Sequence, residues 1–128
     1  ALLLLLHPDL LRYRAGTYVV SASFLPPLYA YAFGDWSVAH ERRYRELRAI
    51  VDPLLSDDPR QRISAVGAVP LTDWTSLWGE FETYRFARLT AHLRQRRPDD
   101  QINHTLLVYR LSQADLDEAL DGPPPLKS

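Results

Sequence analysis

Two stretches of this chain repeat one order of elements, and that echo limits the fold more than any single residue does. Tyr44-Arg45-Glu46-Leu47 opens a helical pattern. It runs through the polar turn Ser56-Asp57-Asp58-Pro59 into the apolar run Ile63 to Val69. Tyr84-Arg85-Phe86-Ala87 opens another, which passes through Arg97-Pro98-Asp99-Asp100 into the apolar run Ile102 to Leu111. Helix, polar turn with proline and paired aspartates, then strand: the order predicts two stacked half-domains and a split βαβ fold.

The rest of the chain is read around that frame. Pro8 and Asp9 are placed to start a short helix through Leu10, Leu11 and Tyr13, and Gly16 breaks it. Residues 17–25 are rich in Tyr, Val and Phe and predict a strand, ended by Pro26-Pro27, which cannot donate to a ladder. An aromatic connector follows, with Tyr29, Tyr31 and Phe33. Asp35 is a suitable N-cap for a helix over 36–52, whose Leu47, Val51 and Leu54 fall at helical spacing. Pro53 should stop that helix near Val51. Residues 61–70 predict a second strand, with Gly67 marking a bulge or close approach. Residues 101–111 predict another, and Ser112 caps a short helix with Asp115 near its positive end. Gly122-Pro123-Pro124-Pro125 stops it and leaves a loose proline-rich tail over 122–128.

Residues 72–97 admit two readings. Trp74, Leu77, Trp78, Phe81 and Tyr84 fit one long helix capped by Thr72. Alternatively a strand over 74–82 precedes a helix over 84–96. Gly79 costs about 1 kcal/mol inside a helix, and the pseudo-repeat needs a strand here, so the break is favoured. The expected fold is then α+β and ferredoxin-like: a four-stranded antiparallel sheet with two main helices plus a short C-terminal helix, in one domain over 1–121. Leu77-Trp78-Gly79-Glu80-Phe81-Glu82-Thr83, followed by an amphipathic helix and a strand, is similar to the second half of the dimeric α+β barrel superfamily. The resemblance covers 17–111 and rests on element order. It implies a homodimer with sheets meeting face to face, and a superfamily of small monooxygenases, cyclases, isomerases and haem-linked enzymes. Fold analogy alone cannot choose among these.

Composition removes several functions. Without cysteine there is no disulfide, thiolate nucleophile or Cys-ligated metal. A net charge of −1 gives no field to attract nucleic acid or an anionic membrane. The basic charge is Arg apart from Lys127, which reads as genome composition before it reads as an Arg-based ligand clamp. The run Leu2 to Leu6 is far shorter than the ~20 apolar residues of a membrane span and lacks the basic flank of a signal peptide. Cytoplasm is the default expectation, and Ala1 in place of Met fits a processed or truncated product. Asn103-His104-Thr105 fits the N-glycosylation pattern but falls in an expected strand. The element order also matches the RNA-recognition motif. Glu80 and Glu82 in the strand that should stack bases would repel phosphate, so no nucleic-acid partner is expected.

Candidate chemistry centres on His104. It alternates with Ile102, Leu106 and Val108 and should lie on an apolar, helix-facing side as a general acid or base. A core histidine bonded to a backbone carbonyl is the plainer explanation. Tyr29 would polarise a carbonyl or phenol, and Trp36, Trp78, Phe33 and Tyr109 would line the pocket. Tyr109 shares a strand face with Leu107 and Leu111 that should want a cover. His40 and His92 lie on the two helices but match no compact metal-ligand spacing. No cofactor is predicted, with haem or a metal left open. Trp74, Trp78, Phe81 and Tyr84 suit a core as well as a pocket. Glu80 and Glu82 suit a solvated edge as well as a carboxylate pair.

Two functions follow. One is a small homodimeric enzyme or binding protein for an apolar or aromatic organic ligand, running cofactor-independent acid/base chemistry of the cyclase, isomerase or monooxygenase kind. The other is a non-enzymatic protein–protein interaction domain of a larger assembly, attached through the Leu run and the proline-rich tail. A single long helix over 72–97 would undo the barrel resemblance and put the second reading first.

Overall fold

The computed structural model describes residues 12–21, 35–103 and 105–126. Along them run β1 (Gly16–Ser21), α1 (Val38–Val51), a 3-10 turn (Asp52–Leu55), α2 (Pro59–Ala68), α3 (Leu71–Arg94), β2 (Asp100–Ile102), β3 (Leu106–Leu111) and α4 (Gln113–Asp121). The fold is α+β, but the expected four-stranded sheet with two main helices is not formed. The described residues make four α-helices and a three-stranded antiparallel sheet of order β1-β3-β2.

Three local causes account for the difference. The stretch expected as a strand over 61–70 is helical because Asp58 and Pro59 start a helix. The Asp58 side chain accepts from the Arg60 N–H at 3.0 Å, and Pro59 occupies the first turn, where a missing N–H costs nothing. The expected strand over 74–82 lies inside α3, 24 residues long, despite Gly79. Trp74, Phe81, Ala87, Leu89, Ala91 and Leu93 are all buried along α3. Burying a large apolar side chain contributes about 1.5–3 kcal/mol, which outweighs one glycine. The expected strand over 101–111 is broken by a turn. Asn103 takes a φ of +52°, a left-handed conformation that Asn tolerates, and the Thr105 N–H reaches the Ile102 carbonyl at 3.2 Å. Asn103 and Thr105 of the glycosylation pattern therefore lie in a turn and not in a strand.

That turn also settles which sheet face is packed. Tyr18 pairs with Tyr109, Val20 with Leu107 and Gly16 with Leu111, while Val19 pairs with Val108 and Ile102 with Leu106. Val20, Tyr109 and Leu111 are buried, whereas Val19, Ile102 and Leu106 stay 52%, 44% and 37% exposed. The face expected to want a cover is the packed one, and the face expected to meet the helices is the more exposed one, although Val108 on it is buried too.

The ends of the helices follow sequence rules closely. Ser37, not Asp35, caps α1. Its hydroxyl accepts from the His40 N–H (3.2 Å), and His40 Nδ1 accepts from the Ser37 N–H (3.1 Å). This reciprocal pair is a capping box with His in the usual Glu position. Helix α1 ends at Val51 as Pro53 requires. Ser112 and Asp115 form a full capping box on α4. Of the tail, residues 122–126 are described: Pro125 is buried, the Gly122 carbonyl accepts from Arg88 Nη2 (2.8 Å) and the Leu126 carbonyl from Gln95 (3.4 Å). No helix among the described residues is long and apolar enough to cross a membrane.

The described residues divide into two compact units, 12–13 with 42–83 and 14–41 with 84–126. In the first, Tyr44, Leu47, Val51, Leu54, Trp74 and Phe81 are buried. Tyr44 stacks on Phe81 with centroids 6.0 Å apart, and Arg43 grips the Glu80 carboxylate through two bonds of 2.7 and 2.9 Å. In the second, the packed sheet face, the second half of α3 and Leu116 and Ala119 of α4 are buried around one charged pair, Glu41 and Arg88.

Candidate functional site

Two places combine concavity or buried polarity with a defined set of residues. In the second unit Trp36, Glu41 and Arg88 are buried together. Arg88 Nε and Nη2 bond both Glu41 oxygens at 2.9 and 3.3 Å, and the Trp36 indole donates to Glu41 Oε1 at 3.0 Å. Nη1 also donates to the Ala119 carbonyl at 2.5 Å and Nη2 to the Gly122 carbonyl at 2.8 Å. The ring centroids of His40 and Tyr84 lie 5.6 and 6.2 Å from that of Trp36. Every bond here joins one part of the unit to another. A buried carboxylate held by a bidentate arginine is already occupied, which describes a structural bolt rather than a base waiting for substrate.

The second place is a groove in the first unit. Ile50 at the end of α1, Pro53 of the 3-10 turn, Ala65, Ala68 and Val69 along and after α2, and Trp74 of α3 form its apolar lining. Arg60, Gln61 and Ser64 edge it, and its volume is about 670 Å³. Trp74 is fixed in place by its indole N–H, which donates to the Val66 carbonyl at 3.2 Å. Helix α2 presents Arg60, Gln61, Ser64, Ala65 and Ala68 to the groove because these positions recur at helical spacing. No side chain of α2 is buried, and Ile63 on it is 64% exposed. A ten-residue helix draws most of its stability from packing, so α2 stands out as the under-packed one among the described helices.

The residues singled out from sequence scatter. His104, Tyr29 and Phe33 lie outside the described residues. Trp36 is in the core of the second unit beneath Glu41, and Trp78 is half-buried in the first, its ring 5.3 Å from Phe81. Tyr109 is a core residue of the second unit; its hydroxyl donates to the Leu93 carbonyl at 3.4 Å, and burial pushes its pKa up. His40 serves the α1 cap. His92 is half-buried, and burial is the main cause that lowers its pKa from the ordinary 6.5, with Arg96 and Arg88 adding to it and Glu118 and Asp115 opposing. Glu80 faces Arg43, whose hydrogen bonds hold its carboxyl below the usual range. Among the described residues no group of three or more His, Cys, Asp or Glu is placed to hold a metal ion.

Sequence reasoning missed the groove altogether, because it depends on α2 being a helix. The Asp58-Pro59 start signal could have found it, since that pair turns Gln61, Ser64, Ala65 and Ala68 onto one face. No protein-family model, no curated protein and no solved structure matches the chain.

Proposed function

We propose that this chain is a non-enzymatic interaction domain that receives part of a partner protein in the α2 groove. One observation carries the reading: α2 has no buried side chain, yet it walls an apolar groove of about 670 Å³. A partner seated there would give α2 the packing it lacks. The lining speaks for binding over catalysis. Its apolar residues, with Ser64, Gln61 and Trp74, neither give nor take a proton near neutral pH, and the Arg60 guanidinium offers hydrogen-bond donors and no acceptor.

Co-purification tests it. Ala68 is exposed on α2, and Arg is a good helix former, so Ala68→Arg should fold while filling the groove with charge. Proteins recovered with the wild-type chain should be lost with Ala68→Arg and kept when all four histidines become Gln. Loss with the histidine variant and retention with Ala68→Arg would overturn the reading.

A small organic ligand is the second reading. The groove volume lies within the range of small-molecule sites. Native mass spectrometry of the purified chain would then show a bound mass that disappears in Ala68→Arg.

A further inference from the structure

The polar edge of the groove narrows what the partner can offer. Arg60 is the one charged side chain among the described residues that line it. Arg60 has donors only. Gln61 has its carbonyl oxygen taken by the Ser56 hydroxyl at 2.6 Å, which leaves its amide N–H₂ as the group to present. Both sit in the first turn of α2, on the same edge as Ser64 one turn later. This edge is rich in donors and carries one positive charge, so it complements a carboxylate. Behind it the α2 wall is built of Ser64, Ala65 and Ala68, small enough to let a second helix approach closely, with Trp74 and Ile50 supplying the larger apolar surface.

We infer that the occupant of the groove is an amphipathic helix of a partner protein, with its apolar face toward Ala65, Ala68 and Trp74 and a Glu or Asp on its flank received by Arg60 and Gln61. This rests on the interaction-domain reading and specifies its partner. Helix-in-groove recognition uses this division of labour: an apolar face for affinity, an edge charge for orientation and on-rate.

The test uses the full chain and two fluorescent synthetic 16-residue helices with the same Leu/Ala face. One is flanked by Glu, the other by Lys. Fluorescence anisotropy at low salt should show the Glu peptide binding about five- to tenfold tighter, the range of a partly exposed ion pair together with relief of repulsion. Arg60→Glu should reverse that preference. Ala68→Arg should abolish binding of both peptides, with circular dichroism confirming an intact fold. Equal binding of the two peptides by wild type, or a preference untouched by Arg60→Glu, would overturn the inference while leaving the groove a protein-binding site. Binding of dodecanoate with neither peptide bound would overturn it in favour of a small amphiphile. The co-purification result on Ala68→Arg judges the underlying reading separately.

Discussion

Arg88 holds oxygens from three parts of the second unit at once: the two of Glu41, the Ala119 carbonyl at the end of α4, and the Gly122 carbonyl beyond it. Removing one member of a buried pair strands the other, at about 3–5 kcal/mol. Arg88→Met and Glu41→Met should each lower the urea midpoint by that order. The double variant should lose less than the sum of the two, because no lone charge remains. Arg88→Lys should rescue little, since an ammonium cannot copy the two-pronged contact. His92 predicts a pH effect. Its folded pKa lies below the unfolded 6.5, so below that pH the unfolded chain binds the proton more readily than the folded one. Stability should fall as pH drops from 6.5 through the folded pKa. His92→Gln should flatten that part of a plot of urea midpoint against pH; an unchanged slope would exclude His92 as its source.

At the scale of elements, what was legible in the sequence was what local chemistry alone decides. The stop of α1 before Pro53 and the Ser112 cap with Asp115 depend on neighbours within a few residues, and both are present; of the strand expected over 17–25, residues 17–21 are strand and 22–25 lie outside the described residues. The long-range echo predicts strands at 61–70 and 74–82, but local signals decide both stretches. Asp58-Pro59 starts a helix in the first. In the second, Trp74 and Phe81 fit the single long helix, and the burial along it outweighs the cost of Gly79. A Cβ at Gly79 meets nothing within 4 Å, so Gly79→Ala should raise stability by about 1 kcal/mol. At Gly122 a Cβ would lie 2.5 Å from the Glu118 carbonyl oxygen. Gly122→Ala should therefore destabilise, and thermal melts of the two variants should move in opposite directions. The candidate site was less legible than the fold, since a groove built on α2 cannot be seen while α2 is read as a strand.

At the scale of the whole molecule, the charged and polar groups buried among the described residues are engaged in holding the fold together. There is no cysteine, and the net charge is −1. The buried carboxylate is bonded to Arg88, and the one described histidine beside aromatic rings caps a helix. The outward sheet face exposes Val19, Ile102 and Leu106, a small patch of the kind ordinary protein surfaces carry. Among the described residues, a helix without a buried side chain lies beside an apolar groove, and the proposed reading assigns partner binding to it. The most direct measurement is site-specific photo-crosslinking in the cell. A benzoylphenylalanine placed at Ala65, in the groove, should give a discrete protein adduct, and one placed at the exposed Glu118 of α4 should not. Adducts only from position 118, or none from position 65, would contradict the account.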